Sequence, residues 1–394
     1  MRFLWMSNAP WAGTGYGVQT KLLLKALQGL GHEPSCFAFY GLEGGKIEYD
    51  GYDVYPNSNF NAWGNDVIEA HLQNSHSNAV ITLMDVFVLD SNIWRRLAQR
   101  WPWAAWVPVD SHGIGFPNLE RLEFVTHPVA MSQHGAQQML NHGIVPAAVI
   151  PHAVDTEVFK PLDKWECREE LGIEKDAWLV GMVMANKGDR KQYPQQFEAL
   201  KVWSDKNPDV DLRVYLHTEP THQMGGWDMK ELIQMMGLKG RVYASNQYFS
   251  SVTPLEQATM AKIYNAMDVL MNVSAGEGFG VPIIEAQACG IPVITQNVSA
   301  MPEITKYGYA VEPRSKGLSS HYGWQFGSDP EDLLYRLDCT YRMFPDAAQR
   351  ASARSWVAEN CSIGMVAAQW HGVLTYMQEQ MEQGELVPPE KVAS

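Results

Sequence analysis

The sequence predicts an α/β protein of two doubly wound parallel-sheet domains in tandem. Three observations carry this. Short, wholly apolar runs of strand length recur along the chain, helical spacings separate them, and the series breaks once, in the turn-rich stretch VIPHAVDTEVFKPLD (149–163). Apolar strands alternating with helices imply parallel βαβ units buried on both faces. A chain of 394 residues with 46% hydrophobic residues is long enough for two cores of ordinary size.

In the first series RFLWMS (2–7) reads as a strand and VQTKLLLKALQGLGH (18–32) as a helix that stops at Gly29 and Gly31. AVITLM (79–84), AAWVPV (104–109), PVAMS (128–132) and AAVIP (147–151) read as strands, with helices NIWRRLAQR (92–100) and HGAQQMLNHG (134–143) between them. The second series runs strand WLVGMVMA (178–185), helix 195–207, strand LRVYLH (212–217), helix 228–238 and strand RVYAS (241–245). It continues with helix 255–266, strand DVLMNVS (268–274), helix VPIIEAQACG (281–290) and strand IPVITQ (291–296). Val366, Trp370, Val373, Leu374, Met377 and Met381 step by three and four, the stripe of an amphipathic helix packed on a domain. The expected division is 1–152 and 153–365, with the terminal helix, about 366–394, returning to the first domain.

The formal net charge of −14 disfavours an extended nucleic-acid surface but leaves room for a local basic groove. No apolar run reaches the roughly eighteen residues of a membrane span, and MRFLWMSNAPW reads as a first strand rather than a signal peptide. Cys36, Cys167, Cys289, Cys339 and Cys361 are scattered without a CxxC, as in a reducing compartment. A cytoplasmic location is expected, so the Asn-x-Ser sites at Asn272, Asn297 and Asn360 are read as chance.

The chemistry concentrates in SAGEGFGVPIIEAQACG (274–290), where Glu277 and Glu285 stand eight positions apart around a Gly-Phe-Gly turn. The loop ends a parallel strand, where open α/β sheets bind ligands. Its glycines admit close backbone approach, and the following helix N-terminus favours an anion. A phosphate on the helix end, flanked by two acids that accept hydroxyl hydrogen bonds, suits a sugar attached to a nucleoside diphosphate.

E-G-F-G-V-P-I-I-E-A resembles the E-x7-E signature of retaining glycosyltransferases of the GT-B fold, in the family 4 group. The likeness extends through ACGIPVITQNVSAMPEI (288–304), IYNAMDVLMNVS, IPHAVDTEVFKP (150–161) and SNAPWAGTGYGVQT, in order over most of the chain. The wording of NAPW..TGYG and of RK after ANKGD is similar to bacteriophage-encoded members. The resemblance implies two Rossmann-like domains facing a central cleft, the second holding the nucleotide sugar and the first the acceptor. It implies that Glu277 binds donor-sugar hydroxyls, that Glu285 binds the ribose, that Gly278 belongs to the donor site, and that Phe279, Gly280 and Val281 present backbone amides to sugar and phosphate. The glycines of G-T-G-Y-G, Gly15 and Gly17 among them, are read as closing over the phosphates; no dinucleotide fingerprint is present.

Arg190 and Lys191 follow VGMVMANKGD and are expected to neutralise the leaving diphosphate. Lys191 matches a lysine of the family. The Gly-Arg pair that ends this strand in the family is absent, and Ala185-Asn186 stands there, leaving Arg190 or Lys187 to compensate. His112, in WVPVDSHGIGFP, matches a family histidine that touches the donor sugar, with Asp110 as an orienting or acceptor-side partner and Asp85 a weaker acceptor-side choice.

Other features are read as structural: Asp209-Val-Asp211 as a surface turn, His217 and His222 as no metal pair, Glu303 as a helix cap or nucleotide neighbour, and Trp101, Trp103 and Trp106 as packing rather than an acceptor groove. The expected activity is metal-independent transfer of a hexose from a UDP- or GDP-linked sugar, with retention, to a hydroxyl acceptor. That acceptor is a glycan, a modified DNA base or a small molecule. No cofactor and no membrane insertion are expected. The alternatives are a sugar-nucleotide epimerase or phosphorylase on the same fold, or a non-catalytic glycan- or nucleotide-binding protein.

Overall fold

A computed structural model describes residues 1–58, 60–221, 225–244, 254–343 and 346–384. The chain divides into two compact units. One comprises Met1–Ala153, Ser320–Gly323 and the chain from Ile363 onward; the other comprises Val154–Ser319 and Trp324–Ser362. The turn Ser320–Gly323 therefore joins the first unit, a feature the sequence did not signal.

The first unit is built on eight strands: β1 (Arg2–Asn8), β2 (Glu33–Glu43), β3 (Ile47–Tyr49), β4 (Tyr52–Asn57), β5 (Ala79–Leu83), β6 (Trp103–Val107), β7 (His127–Ala130) and β8 (Ala148–Val149). They lie in the order β3-β4-β2-β1-β5-β6-β7-β8, with every pairing parallel except β3 with β4. β2, β3 and β4 fall where no strand is expected from the sequence; polar residues interrupt β3 and β4, whereas β2 carries the unbroken apolar run Cys36–Tyr40.

The first helix begins at Gly15, three residues before the expected start, because Thr14 caps it: its side chain accepts from the Gly17 amide at 3.0 Å and from Asn8 Nδ2 at 2.6 Å. Gly17 is obligatory there, since a Cβ would stand 2.4 Å from the Ala12 carbonyl oxygen. The terminal helix, Ile363–Glu382, buries the whole expected stripe, and the Trp370 ring meets Trp5 at 5.5 Å and Trp106 at 5.4 Å. It starts at Ile363 rather than 366; residues 385–394 of the expected helix lie outside the described residues. Trp101, Trp103 and Trp106 are core residues, almost fully buried.

The second unit holds β9 (Trp178–Val183), β10 (Leu212–His217), β11 (Val242–Ala244), β12 (Val269–Asn272), β13 (Val293–Gln296) and β14 (Gly308–Val311). Their order is β11-β10-β9-β12-β13-β14, all parallel. In sequence terms this is 3-2-1-4-5-6, the Rossmann order, with its switch point between β9 and β12. An antiparallel pair, β15 (Pro313–Leu318) and β16 (Trp324–Ser328), and two helices, Pro330–Arg342 and Ala347–Cys361, complete the unit; none of them is read from the sequence. Residue 245 of the expected strand 241–245 lies outside the described residues. Among the described residues no helix is long and apolar enough to cross a membrane.

Candidate active site

The loops after β9 and β12 leave the sheet at its switch point, so strand order alone brings 184–192 against 273–280. Ala275 N donates to the Arg190 carbonyl at 2.7 Å, joining the two loops. The residue after Lys191 fixes the geometry. Gln192 adopts φ +48°, left-handed backbone that a non-glycine residue rarely accepts. Its buried amide donates to Gln296 Oε1 at 2.6 Å, and its oxygen accepts from Ser328 N at 2.9 Å. Bonds to β13 and β16 thus hold the strained turn, and Gln196 Nε2 donates to the Lys191 carbonyl at 2.7 Å.

This turn sends Arg190 and Lys191 to one acid. Glu277 is buried, and its Oε1 accepts from Lys191 Nζ and, at 2.6 Å, from Ser274 Oγ. Its Oε2 accepts from Arg190 Nη1 at 3.1 Å, and the same nitrogen donates to the Gly276 carbonyl at 2.7 Å. Burial pushes the Glu277 carboxyl up, but the charges of Lys191 and Arg190 and the bonds from Lys191 and Ser274 outweigh it, holding the group down at about 2. The Glu277 amide donates to Ser299 Oγ at 2.9 Å.

The helix Val281–Ala288 starts four residues beyond Glu277. Gly280 precedes it at φ +109°, in the left-handed region, and Pro282 sits in its first turn. Phe279 is buried. One turn in, Glu285 Oε2 accepts from the buried Tyr264 hydroxyl at 2.7 Å. Burial raises this carboxyl to about 7, against the Tyr264 bond that lowers it. Two acids eight residues apart are thus tuned in opposite directions, one by cations and one by an apolar surrounding.

Asn186, in place of the family's Gly-Arg, is buried and structural. Its amide nitrogen donates to the carbonyls of Glu219, Thr221 and Trp227, and its oxygen accepts from Trp227 N at 2.9 Å. Lys187 is exposed, whereas Arg190 reaches Glu277. Gln192, Gln196, Ser274, Ser299 and Tyr264 are site residues that sequence reasoning missed. The αL turn at Gln192 has no local signature, and Tyr264 lies within the quoted IYNAMDVLMNVS with no role assigned.

In the first unit, Asp110 and His112 follow β6. The His112 ring lies 4.8 Å from His134, and partial desolvation together with that neighbour lowers its pKa. Gly15 is exposed, and the Gly17 amide is already engaged by Thr14, so Gly17 contributes close packing rather than a free amide. Asp85 immediately precedes the 3₁₀ turn Val86–Val88. Asp211 pairs with Arg213 at 2.9 Å, as a surface turn would. His217 meets the Tyr215 hydroxyl at 3.2 Å, while His222 lies outside the described residues. Among the described residues no three His, Cys, Asp or Glu gather as metal ligands. Glu303 lies in the first turn of the short helix Met301–Ile304.

Residues 222–320, which include both glutamates, match the family model described as glycosyl transferases group 1. Over 96% of this chain the structure superposes on 99% of sucrose-phosphate synthase from Thermosynechococcus elongatus, with a TM-score of 0.74 at 16% identity. The fold is GT-B. A second GT-B structure, Anabaena HepE in complex with UDP and glucose, covers 95% of this chain and all of its own, with a TM-score of 0.67 at 17% identity. Among curated proteins, a D-inositol 3-phosphate glycosyltransferase of Arthrobacter sp. (strain FB24) is 29% identical over 142 residues, 36% of this chain and 31% of that protein. Its counterpart in Mycobacterium tuberculosis (strain CDC 1551 / Oshkosh) is 27% identical over 264 residues, 66% of this chain and 51% of that protein. The chain thus spans about half or less of the length of these relatives.

Proposed function

We propose that this GT-B protein is a retaining glycosyltransferase that moves a hexose from a nucleoside-diphosphate sugar to a hydroxyl acceptor without a metal. One observation carries the reading: Lys191 and Arg190 converge on Glu277 at the switch point of the second sheet, four residues before a helix begins. In the free protein Glu277 pairs with both cations, and the trio keeps one net positive charge. A diphosphate seated on the helix end would share them, and the carboxylate would then accept hydroxyl hydrogen bonds from the donor sugar. As the bond to the anomeric carbon breaks, charge grows on the leaving phosphate, where two preorganised cations and a helix dipole help most. The phosphate oxygen takes the acceptor's proton on the same face, so no protein nucleophile is needed. Glu285, held by Tyr264, is assigned the ribose. His112 and Asp110 are assigned the donor-sugar contact and its orientation by resemblance alone.

The HepE complex with UDP and glucose makes UDP-glucose the first donor to try. The test is release of free nucleoside diphosphate from UDP-, GDP-, ADP- and TDP-sugars by wild type, Glu277→Ala, Lys191→Ala and His112→Ala. Release from one donor, abolished in the first two variants, is expected. Neither release nor nucleotide binding with any donor would sink the reading.

A further inference from the structure

Two stretches of the chain carry no Lys, Arg, Asp or Glu: the residues between Glu123 and Asp155, and those between Glu359 and Glu379. Both lie almost wholly in the first unit. In a chain that is 19% charged, stretches of this length would ordinarily hold several charges each. Burial accounts for the strands but not for the exposed positions, which solvent normally fills with charge. Val145 is 73% exposed, Met365 45% and Tyr376 53%; Ala147, Gln369 and Gly372 are exposed as well. Met365, Gln369, Gly372 and Tyr376 step by four, three and four, so they form one stripe along the terminal helix.

The fold joins the two stretches at one edge of the sheet. Among the described residues β8 is the last strand, paired with β7 alone. Residues 147–150 share a cavity of about 310 Å³ with Gln369, Gly372, Val373 and Tyr376 of the terminal helix. His127 Nε2, on β7, donates to Gln380 Oε1 at 2.9 Å and fastens that helix beside the edge. The helix Gln133–Asn141 covers the other face of the sheet. Its Ala136 and Met139 pack in one core with Leu4, Met6, Ala105 and Val107, whereas Trp370 meets Trp5 and Trp106, which alternate with them. Ile144 and Val149 pack against that same core, so the chain from this helix to β8 is held as well.

Charge selects the occupant. Two copies of a chain with net charge −14 repel one another at long range. Through this edge they bring no like charges together, so burial of apolar surface acts unopposed at contact. A two-fold contact sets the same patch against itself, and an uncharged patch meets that condition where an acidic one does not. The two stretches offer no acid to a basic partner and no Lys or Arg to an anionic lipid or a nucleic acid. Pro146 and Pro151 flank β8, so a ladder running from copy to copy would be short. Side-chain packing of Val145, the cavity and the helix stripe therefore carries the contact.

We propose that this edge of the first unit is where two copies of the chain associate, about a two-fold axis. The experiment is sedimentation velocity on the full chain, at concentrations up to about 100 μM. A concentration-dependent dimer is expected. Val145→Glu and Gln369→Glu each place a charge in the contact and should weaken the dimer about a hundredfold or more, since like charges then face each other. Gln349→Glu adds the same charge at an exposed position of the second unit and should leave the dimer intact. Val145 and Gln369 are exposed, so melting curves of dilute samples should match wild type and show that the variants fold. Added salt should tighten the wild-type dimer, because it screens the repulsion between two acidic chains. A wild-type monomer at every concentration overturns the proposal. So does a dimer indifferent to Val145→Glu and Gln369→Glu, or one that Gln349→Glu weakens equally, or one that salt dissociates. Flotation with phosphatidylcholine vesicles completes the test: vesicle binding that either variant abolishes would give this face to a lipid surface and overturn the dimer.

Discussion

Lys191 and Arg190, consecutive in the chain, grip the two oxygens of one buried carboxylate, Glu277 Oε1 and Oε2. The arrangement is stable only as a set, because each charge is costly without the others.

The Lys191–Glu277 coupling is therefore expected to be large. Lys191→Met leaves the buried carboxylate with Arg190 and Ser274 alone and should cost about 3 kcal/mol. Glu277→Gln strands the lysine at a similar cost. The double variant should recover part of the loss, and a urea-denaturation cycle measures it; strict additivity would contradict the pairing. Nucleoside diphosphate release should fall by at least about a hundredfold in either single variant.

The two glutamates predict opposite pH dependences. The Glu277 carboxyl sits at about 2 in the fold against an ordinary 4.5, so it contributes stability above pH 4.5 that is lost as pH falls toward 2. The Glu285 carboxyl is raised from 4.5 to about 7, so its contribution is full below 4.5 and fades as pH rises through 7. In urea midpoints across pH, Glu277→Gln should flatten the acid limb. Glu285→Gln should gain on wild type as pH rises from 4.5 to 7 and hold that gain above 7, the window those values set. A Glu285→Gln curve parallel to wild type would refute the shift.

Gly15 and Gly17 stand two positions apart and should behave differently. A Cβ on Gly17 meets the Ala12 and Ala9 carbonyl oxygens at 2.4 and 2.8 Å, and Gly17→Ala should cost about 1–3 kcal/mol. A Cβ on Gly15 meets nothing within 4 Å. Gly15→Ala should be neutral or stabilise by about 0.5 kcal/mol, as alanine favours the helix. Thermal melts of the two variants decide it.

Trp370 ties the terminal helix to the first core through Trp5 and Trp106. Trp370→Ala should cost about 3–5 kcal/mol. Its buried Nε1 has no hydrogen-bond partner among the described residues, so Trp370→Phe forfeits no bond and should cost roughly half as much. Chemical denaturation followed by circular dichroism compares them.

Much of the fold was legible because buried parallel strands are apolar throughout: 2–7, 79–84, 104–109, 178–185 and 212–217 all overlap observed strands. β2 was legible in its apolar run Cys36–Tyr40 and was passed over, whereas Asp53 and Asn57 break the pattern of β4. Asn186 illustrates the limit at the site. The sequence marked it as a departure from the family pattern, yet only its bonds to Glu219, Thr221 and Trp227 show that it shapes a loop and leaves the second cation to Arg190.

By itself the sequence determined what is local: the glycine turn between Glu277 and Glu285, the helix that starts at Val281, the apolar strands and the stripe of the terminal helix. Tertiary structure decided the pairings. Lys191 and Glu277 are 86 residues apart, and they meet because β12 lies beside β9 while β10 and β11 lie on the other side. Strand order is set by burying whole sheet faces under helices, a cooperative property of the unit. Tyr264 reaches Glu285 across 21 residues for the same reason, since helices packed together on the sheet fix which side chains share an apolar space.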